Sequence, residues 1–575
     1  MKEYLHKKLL ASLASLGIAT EAPPIFESPR QADHGDLTTN IAMVLARKLK
    51  RNPRELAQQI IVHLGVDHSL VGKIEVAGPG FMNFFFTPKF YRQQLRDLVI
   101  RGDRYGRSEA EKEMSTQVEF VSANPTGPLT VGHGRGAVFG DTIARLLEWT
   151  GHRVEREYYF NNAGRQMRVL GDSVRLRYLE LLGDAIEFPQ DYYQGEYIKD
   201  IARHLLESQG NGLRDEPASG KFKEQAEREI FADIKKTLRL LGIEHQSYFN
   251  ENSLYEDGKI TGVIEELRAK GLVYEKDGAL WFKTSTLGAD QDKVIVKSTG
   301  EPTYRLPDIA YHREKFRRGF DLMIDVFGSD HVATYPDVLA ALKALDYDTE
   351  KVKVLIHQFV TITQGGEVVK MSTRKANFIT LDELIEDVGA DVVRYFFLMR
   401  TITSHLNFDL ALARQQSDEN PVYYLQYAHA RISSILRYAE QGRSVPEAQT
   451  EPPVPPSAGR GSSGGRPGGK AGAGHPLFAP DADYGLLTSD AEMDLIKVLL
   501  QLPEIIASCA SAFEPHRLAE YLHTVAGVFH RFYHECRVVS ENTDLTKARL
   551  ALCNATGIVI RNGLSVLGIS APEQM

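Results

Sequence analysis

Apolar positions recur with a helical period over the first twenty residues. Leu5, Leu9, Leu10 and Leu13 fall on one face of MKEYLHKKLLASLASLGIAT, which predicts an amphipathic helix. The segment NIAMVLARKLKRNPRELAQQII is strongly helical as well. KIEVAGPGFMNFFF then alternates and breaks at Gly78-Pro79-Gly80, the pattern of strand, turn and strand. Residues 1–112 therefore read as an α+β domain.

A second region opens at TQVEFVSANPTGP. Val118 and Phe120 alternate with polar neighbours, so a strand is predicted, broken at Asn124-Pro125-Thr126-Gly127-Pro128. A helix follows over about 132–149, with Val138, Phe139, Ile143, Leu146 and Leu147 on one face and Gly151 as its cap. RVEREYYF predicts the next strand. Strand, glycine-rich turn, helix and strand form a βαβ unit, which implies a parallel sheet. DLMIDVFG and KVKVLIHQFVTI add strand candidates. Residues 113–408 thus read as a doubly wound, Rossmann-like α/β domain with a segment inserted at about 165–250. Residues 409–575 are helical in pattern, interrupted at 441–482 by a Pro-, Gly- and Ser-rich stretch that cannot bury enough apolar surface to fold.

Composition sharpens this picture in four places. With 575 residues, 43% hydrophobic and 25% charged, the chain can bury several cores. No run of about 18 apolar residues occurs, so no transmembrane helix is expected, and the N-terminus lacks the features of a signal peptide. The cysteines are Cys509, Cys536 and Cys553, with no C-x-x-C pair; this predicts neither disulfides nor zinc and fits the cytoplasm. The net charge of −8 argues weakly against nucleic acid, but it hides basic runs at 46–54 and 313–319. Either run alone reads most simply as a solvated helix face.

Two segments carry candidate chemistry. NPTGPLTVGHGRG lies between a strand and a helix start, where free N–H groups and the helix dipole favour anions. Gly132, Gly134 and Gly136 would let a ligand approach the backbone, and His133 can donate to phosphate. Their spacing does not fit a dinucleotide loop. In VVKMSTRKANFITL, Lys370, Arg374 and Lys375 sit among Ser372 and Thr373, a set that could clamp a polyphosphate. The spacing Gly464, Gly469-Lys470 imitates a phosphate loop, but Ala471 follows and no strand precedes it.

Taken together, PLTVGHGRG and KMSTR resemble the paired signatures of class I aminoacyl-tRNA synthetases. SANPTGP, EYYFNNAGRQM, TYRLPDIAYH, ENPVYYLQYAHARI and EPHRLAEYLHTVAGVFHRFYHECRV are similar to the arginyl-tRNA synthetase family, as are GDLTTNIAMVLARKL and VAGPGFMNF. The resemblance implies a class I catalytic domain at 113–408, an N-terminal tRNA-contacting domain at 1–112 and an all-α anticodon-binding bundle at 409–575. It implies activation of L-arginine by ATP, as the Mg2+ complex, and transfer to tRNA(Arg), commonly only once tRNA is bound. No zinc, organic cofactor, membrane or editing domain is expected, and family members are commonly monomers.

The family pattern assigns residues as follows. Ser122 and Asn124 lie near the amino and carboxylate groups of arginine, and Glu251, Tyr304 and Asp308 surround its guanidinium. His133, with Gly132 and Gly134, holds ATP phosphates. Gly328, Asp330 and His331 lie near the nucleotide, while Lys370, Met371 and Ser372 form the second signature. Asn83, Arg47 and Lys48 would contact the outer corner of tRNA, and Tyr427, Arg431, Phe529 and Tyr533 the anticodon arm. The chain departs from the pattern at Thr130 and Thr373, where His and Lys are usual. Thr130 motivates a second reading, a tRNA-binding protein without catalysis. A third is a class I synthetase for another amino acid.

Overall fold

The computed structural model describes residues 2–20, 24–29, 31–369, 379–441 and 481–575. They gather into two compact units. One is drawn from Met1–Tyr105, Ile432–Gln501 and Gly527–Val559, the other from Gly106–Arg431, Leu502–Ala526 and Ile560–Met575.

In the first unit, helices Lys2–Ser15, Ile41–Leu49 and Pro53–Val62 accompany an antiparallel sheet in the order Leu37–Thr39, Phe81–Phe86, Val71–Ala77. Leu5, Leu9 and Leu13 enter a core with Ile41, Leu45, Ile60 and Phe84, whereas Leu10 is exposed. The Gly-Pro-Gly turn joins the last two strands. Gly78 and Gly80 adopt φ of +50° and +136°, and a Cβ on Gly80 would stand 3.1 Å from Pro53, so glycine is required there. Asn83 corrects an expectation. It lies on the central strand, is only 4% exposed and accepts a hydrogen bond from Thr38 Oγ1 at 2.7 Å, so it ties two strands together instead of facing a partner. Arg47 and Lys48 are exposed in the last turn of Ile41–Leu49, where the helix dipole favours cations.

The second unit is built on five parallel strands: β1 (Ser115–Glu119), β2 (Arg153–Phe160), β3 (Ser247–Asn250), β4 (Leu322–Gly328) and β5 (Val352–His357). Their order is β5-β4-β1-β2-β3. The chain runs outward from β1 on one side, then returns to build the other, so the order reverses between β1 and β4. Ligands of such sheets bind beyond the strands' carboxyl ends at that switch point. Helix α1 (Val131–Trp149) links β1 to β2, and helix α2 (Arg305–Arg317) precedes β4. A Cβ on Gly140 would stand 2.4 Å from Phe120, so this glycine lets α1 lie close to the end of β1.

KVKVLIHQFVTI, one strand in the sequence pattern, divides into β5 and a separate strand, Val360–Gln364, which pairs with Leu406–Asp409. The basic run 313–319 is partly interior: Arg313 and Lys315 are buried, and Arg318 pairs with Glu157. It is therefore no simple solvated face.

Among the described residues beyond 409 the pattern is helical, with Pro421–Glu440, Asp490–Leu499, Leu502–Ala512, His516–Glu535 and Thr543–Leu567. Most of the insertion expected at 441–482 lies outside the described residues. Asp490–Ala512 and Thr543–Leu567 are apolar and long enough to cross a bilayer by composition, but 83% of the second window is buried inside the protein. All three cysteines are buried.

Candidate active site

A cleft of about 830 Å³ opens at the switch point, beyond the carboxyl ends of β1, β4 and β5. Its two ends differ in chemistry.

The acidic end begins where β1 stops. Val121 and Ser122 adopt φ of +71° and +45°, a region L-residues seldom enter. This turn directs Ser122 Oγ to donate to Glu119 Oε1 at 2.9 Å, while the same hydroxyl accepts from the Tyr159 N–H at 3.2 Å. Asn124 accepts from the Asn161 N–H at 3.0 Å and donates to Gln166 at 2.9 Å. Glu251 follows β3 and receives the hydroxyls of Tyr159 at 2.8 Å and Tyr255 at 3.3 Å. Burial raises its carboxyl above the usual range, against those hydrogen bonds. Asp308 lies in the first turn of α2, and its N–H donates to the carbonyl of Tyr304, the residue that starts the helix. Burial, with Glu119 and Glu251 near, pushes the Asp308 carboxyl up to about 7 although His312 and Lys315 oppose it. Tyr304 is 79% exposed at the cleft's edge.

The other end is formed by α1. Thr130 is its N-cap: the hydroxyl oxygen accepts from the His133 N–H, and the Thr130 N–H donates to His133 Nδ1 at 3.1 Å. With Nδ1 accepting, the neutral ring carries its proton on Nε2. Burial lowers the His133 pKa, with Asp330 opposing, so a neutral donor is favoured. The Thr130 hydroxyl oxygen thus closes the first turn of the helix, while its own O–H is still available as a donor. Gly132 and Gly136 line the cleft, and a Cβ on Gly136 would stand 3.0 Å from His357 Nε2. Gly134 does not fulfil its expected role, since a Cβ there would meet Leu381 at 2.5 Å and Phe397 at 3.0 Å; it serves helix packing. Gly328 ends β4 beside His357 in register, and Asp330 and His331 follow in a short 3-10 turn with His331 stacked on Phe327. Burial presses the His357 pKa down to about 4.

One cleft therefore gathers Ser122, Asn124, Thr130, Gly132, His133, Glu251, Tyr304, Asp308, Gly328, Asp330 and His331. Lys370, Met371 and Ser372 lie outside the described residues, although Thr380 just beyond them bridges Thr130. Glu119, Tyr159, Asn161, Tyr311, His312, His357 and Phe359 also line the cleft and were missed by the sequence reading. Tyr159 and Asn161 stood inside the motif EYYFNNAGRQM and Tyr311 and His312 inside TYRLPDIAYH, whereas Glu119, His357 and Phe359 lie at strand ends with no motif of their own. Among the described residues no group of three or more His, Cys, Asp or Glu side chains gathers as metal ligands.

The helical residues expected to meet RNA divide. Phe529 is fully buried, so it packs the interior and presents no face for stacking, a correction. Tyr533 is half-buried against it at 6.0 Å between ring centres. Tyr427 stacks on Tyr423 and accepts from Arg431 Nη1 at 3.2 Å.

Comparison with known proteins agrees with this geometry. Residues 3–86 match the arginyl tRNA synthetase N terminal domain, 94–394 the catalytic domain of class I (R) tRNA synthetases, and 471–575 the DALR anticodon binding domain. An arginine--tRNA ligase of Pelodictyon phaeoclathratiforme is 50% identical, with 100% of each chain covered. Another from Desulfotalea psychrophila is 51% identical over 96% of this chain and 94% of its own. The structure of Thermus thermophilus arginyl-tRNA synthetase shares the fold at a TM-score of 0.72 and 21% identity, with all of both chains covered. By its matched domains and by relatives that align over their full length, the chain belongs to the arginyl-tRNA synthetase family of class I aminoacyl-tRNA synthetases.

Proposed function

We propose that this protein is an arginine–tRNA ligase: ATP, L-arginine and tRNA(Arg) give arginyl-tRNA(Arg), AMP and diphosphate through an arginyl-adenylate. The observation that carries this reading is the acidic end of the cleft. Glu251 is held by neutral donors, the hydroxyls of Tyr159 and Tyr255 and the side chain of Asn161, and among the described ion pairs none uses Glu251 or Asp308. Two carboxylates with no direct ion-pair partner, in a partly closed pocket, are matched by a guanidinium, whose planar fork donates to both.

In this reading Glu251, Asp308 and Tyr304 hold the guanidinium, and Ser122 and Asn124 meet the amino acid's head. The arginine carboxylate then attacks the α-phosphate. Gly132 and the Nε2–H of His133 steady the phosphates of Mg2+-bound ATP, and Gly328, Asp330 and His331 border the nucleotide. Lys370, Met371 and Ser372 are assigned by the sequence pattern alone. Arg47 and Lys48, on the exposed helix end, are suited to phosphate contacts, and Tyr427, Arg431 and Tyr533 remain the anticodon-arm candidates. The domain limits 1–112, 113–408 and 409–575 belong to the same proposal, as do a monomeric state and a cytoplasmic location.

Charging tests it. Incubated with ATP, tRNA(Arg) and labelled arginine, the protein is expected to form a base-labile arginyl ester on the tRNA. Tight tRNA binding without that ester would favour the non-catalytic reading that Thr130 suggested. Arginine-dependent pyrophosphate exchange is expected only when tRNA(Arg) is present.

A further inference from the structure

Behind the acidic end lies a group of buried charges that the proposed reaction does not use. Lys315 Nζ is completely buried and donates to Glu119 Oε2 at 2.6 Å and to Asp325 Oδ1. His312, also buried, has Nε2 2.9 Å from Asp325 Oδ2 and Nδ1 2.8 Å from the carbonyl oxygen of Asp308. That carbonyl can only accept, and Asp325 is already ionised opposite Lys315. Both ring nitrogens must therefore carry protons, so His312 is an imidazolium.

Asp308, His312 and Lys315 are four and three residues apart, on one face of α2. That face meets Glu119 and Asp325, which are opposed across β1 and β4 at the switch point. Glu119 in turn receives Ser122. A continuous chain of polar contacts thus runs from Asp308, at the guanidinium side, to Ser122, at the head-group side.

We propose that His312 and Lys315 are positioning residues for the amino-acid pocket: two buried cations that clamp α2, with Tyr304 and Asp308 on it, to the sheet and hold positive charge behind Asp308. The inference rests on the reading of this cleft as the arginine pocket. Burying two cations is costly unless each is paired, and here each has its acceptors in place, which suits a fixed spacing. The groups facing His312 come from several elements: Asp308, Tyr311 and Lys315 on α2, Asp325 on β4 and Glu119 on β1. Asp308 also faces Glu251, so it stands among carboxylates that favour its proton, and the imidazolium opposes them.

His312→Gln tests this, because it removes the imidazolium and leaves the Lys315 pairs intact. Arginine-dependent pyrophosphate exchange with tRNA(Arg) is measured from pH 6 to 9. The KM for arginine is expected to rise tenfold or more while that for ATP changes less than twofold, and the acid limb for arginine is expected to move to higher pH. Lys315→Arg should retain activity, whereas Lys315→Met should raise the same KM if it folds. If His312→Gln raises both KM values equally, or leaves the acid limb where it was, the proposal is wrong. Asp308→Asn separates the two readings. If it leaves the arginine KM unchanged, the pocket assignment fails; if it raises it while His312→Gln does not, only the positioning role fails.

Discussion

The two ends of the cleft solve different problems with different chemistry. At one end Glu251 and Asp308 are carboxylates whose charge is discouraged by burial, waiting on a cation. At the other, His133 and His357 are kept neutral by burial, and glycines expose backbone to a polyanion. A cationic ligand is met by stored negative charge, and an anionic one by dipoles and neutral donors. Desolvation does both, because it acts against charge of either sign.

The sharpest way to break this contrast is at the acidic end. Asp308→Asn or Glu251→Gln should cut kcat/KM for arginine by about 10³-fold, the scale of a lost buried charge pair at 3–5 kcal/mol, with the KM for ATP nearly unchanged. His133→Ala is the counterpart. It should lower kcat by about 10²–10³-fold, as for one preorganised donor, with the arginine KM nearly unchanged.

The contrast is also a contrast in pH. With Asp308 near 7, kcat/KM for arginine should fall about tenfold per pH unit below that point, a fall that Asp308→Asn abolishes. Stability runs the other way. A carboxyl raised in the folded state favours folding below its unfolded pKa of about 4, and that contribution is lost as pH rises through about 7. Asp308→Asn should therefore raise the denaturation midpoint of the free protein at pH 8 but not at pH 4. At the neutral end, Gly136→Ala should push against His357 and raise the KM for ATP about tenfold, the lower range of an overpacking cost of 1–3 kcal/mol. Smallest is Thr130→Ala, which removes the cap on α1 and should cost about 1 kcal/mol of stability. Replacement by His at Thr130 asks whether the family's usual residue still serves there.

Much of this was legible in the chain. Alternation and glycine breaks delimit β1, β2, β4 and the N-terminal hairpin, because strand periodicity and turn chemistry are local. Asp308 could be named from the motif TYRLPDIAYH, and Glu251 from the family pattern alone. Glu119 and His357 could not, since each sits at a strand end and acquires meaning only from neighbours supplied by α1, α2 and β4. Asn83 and Phe529 were misread for the same reason: a polar or aromatic residue in a motif can serve the interior, and only packing decides. The buried half of the 313–319 basic run is a third case.

The most direct measurement compares substrates at the acidic end. Pyrophosphate exchange by the wild-type protein with tRNA(Arg) is measured with arginine, with lysine and with citrulline, the neutral isostere. Arginine alone should support exchange, with discrimination of about 10⁴–10⁵ in kcat/KM, because a pocket of unpaired buried acceptors rejects side chains that cannot fill it. Comparable exchange with lysine or citrulline would contradict the assignment of Glu251 and Asp308 as the guanidinium's partners.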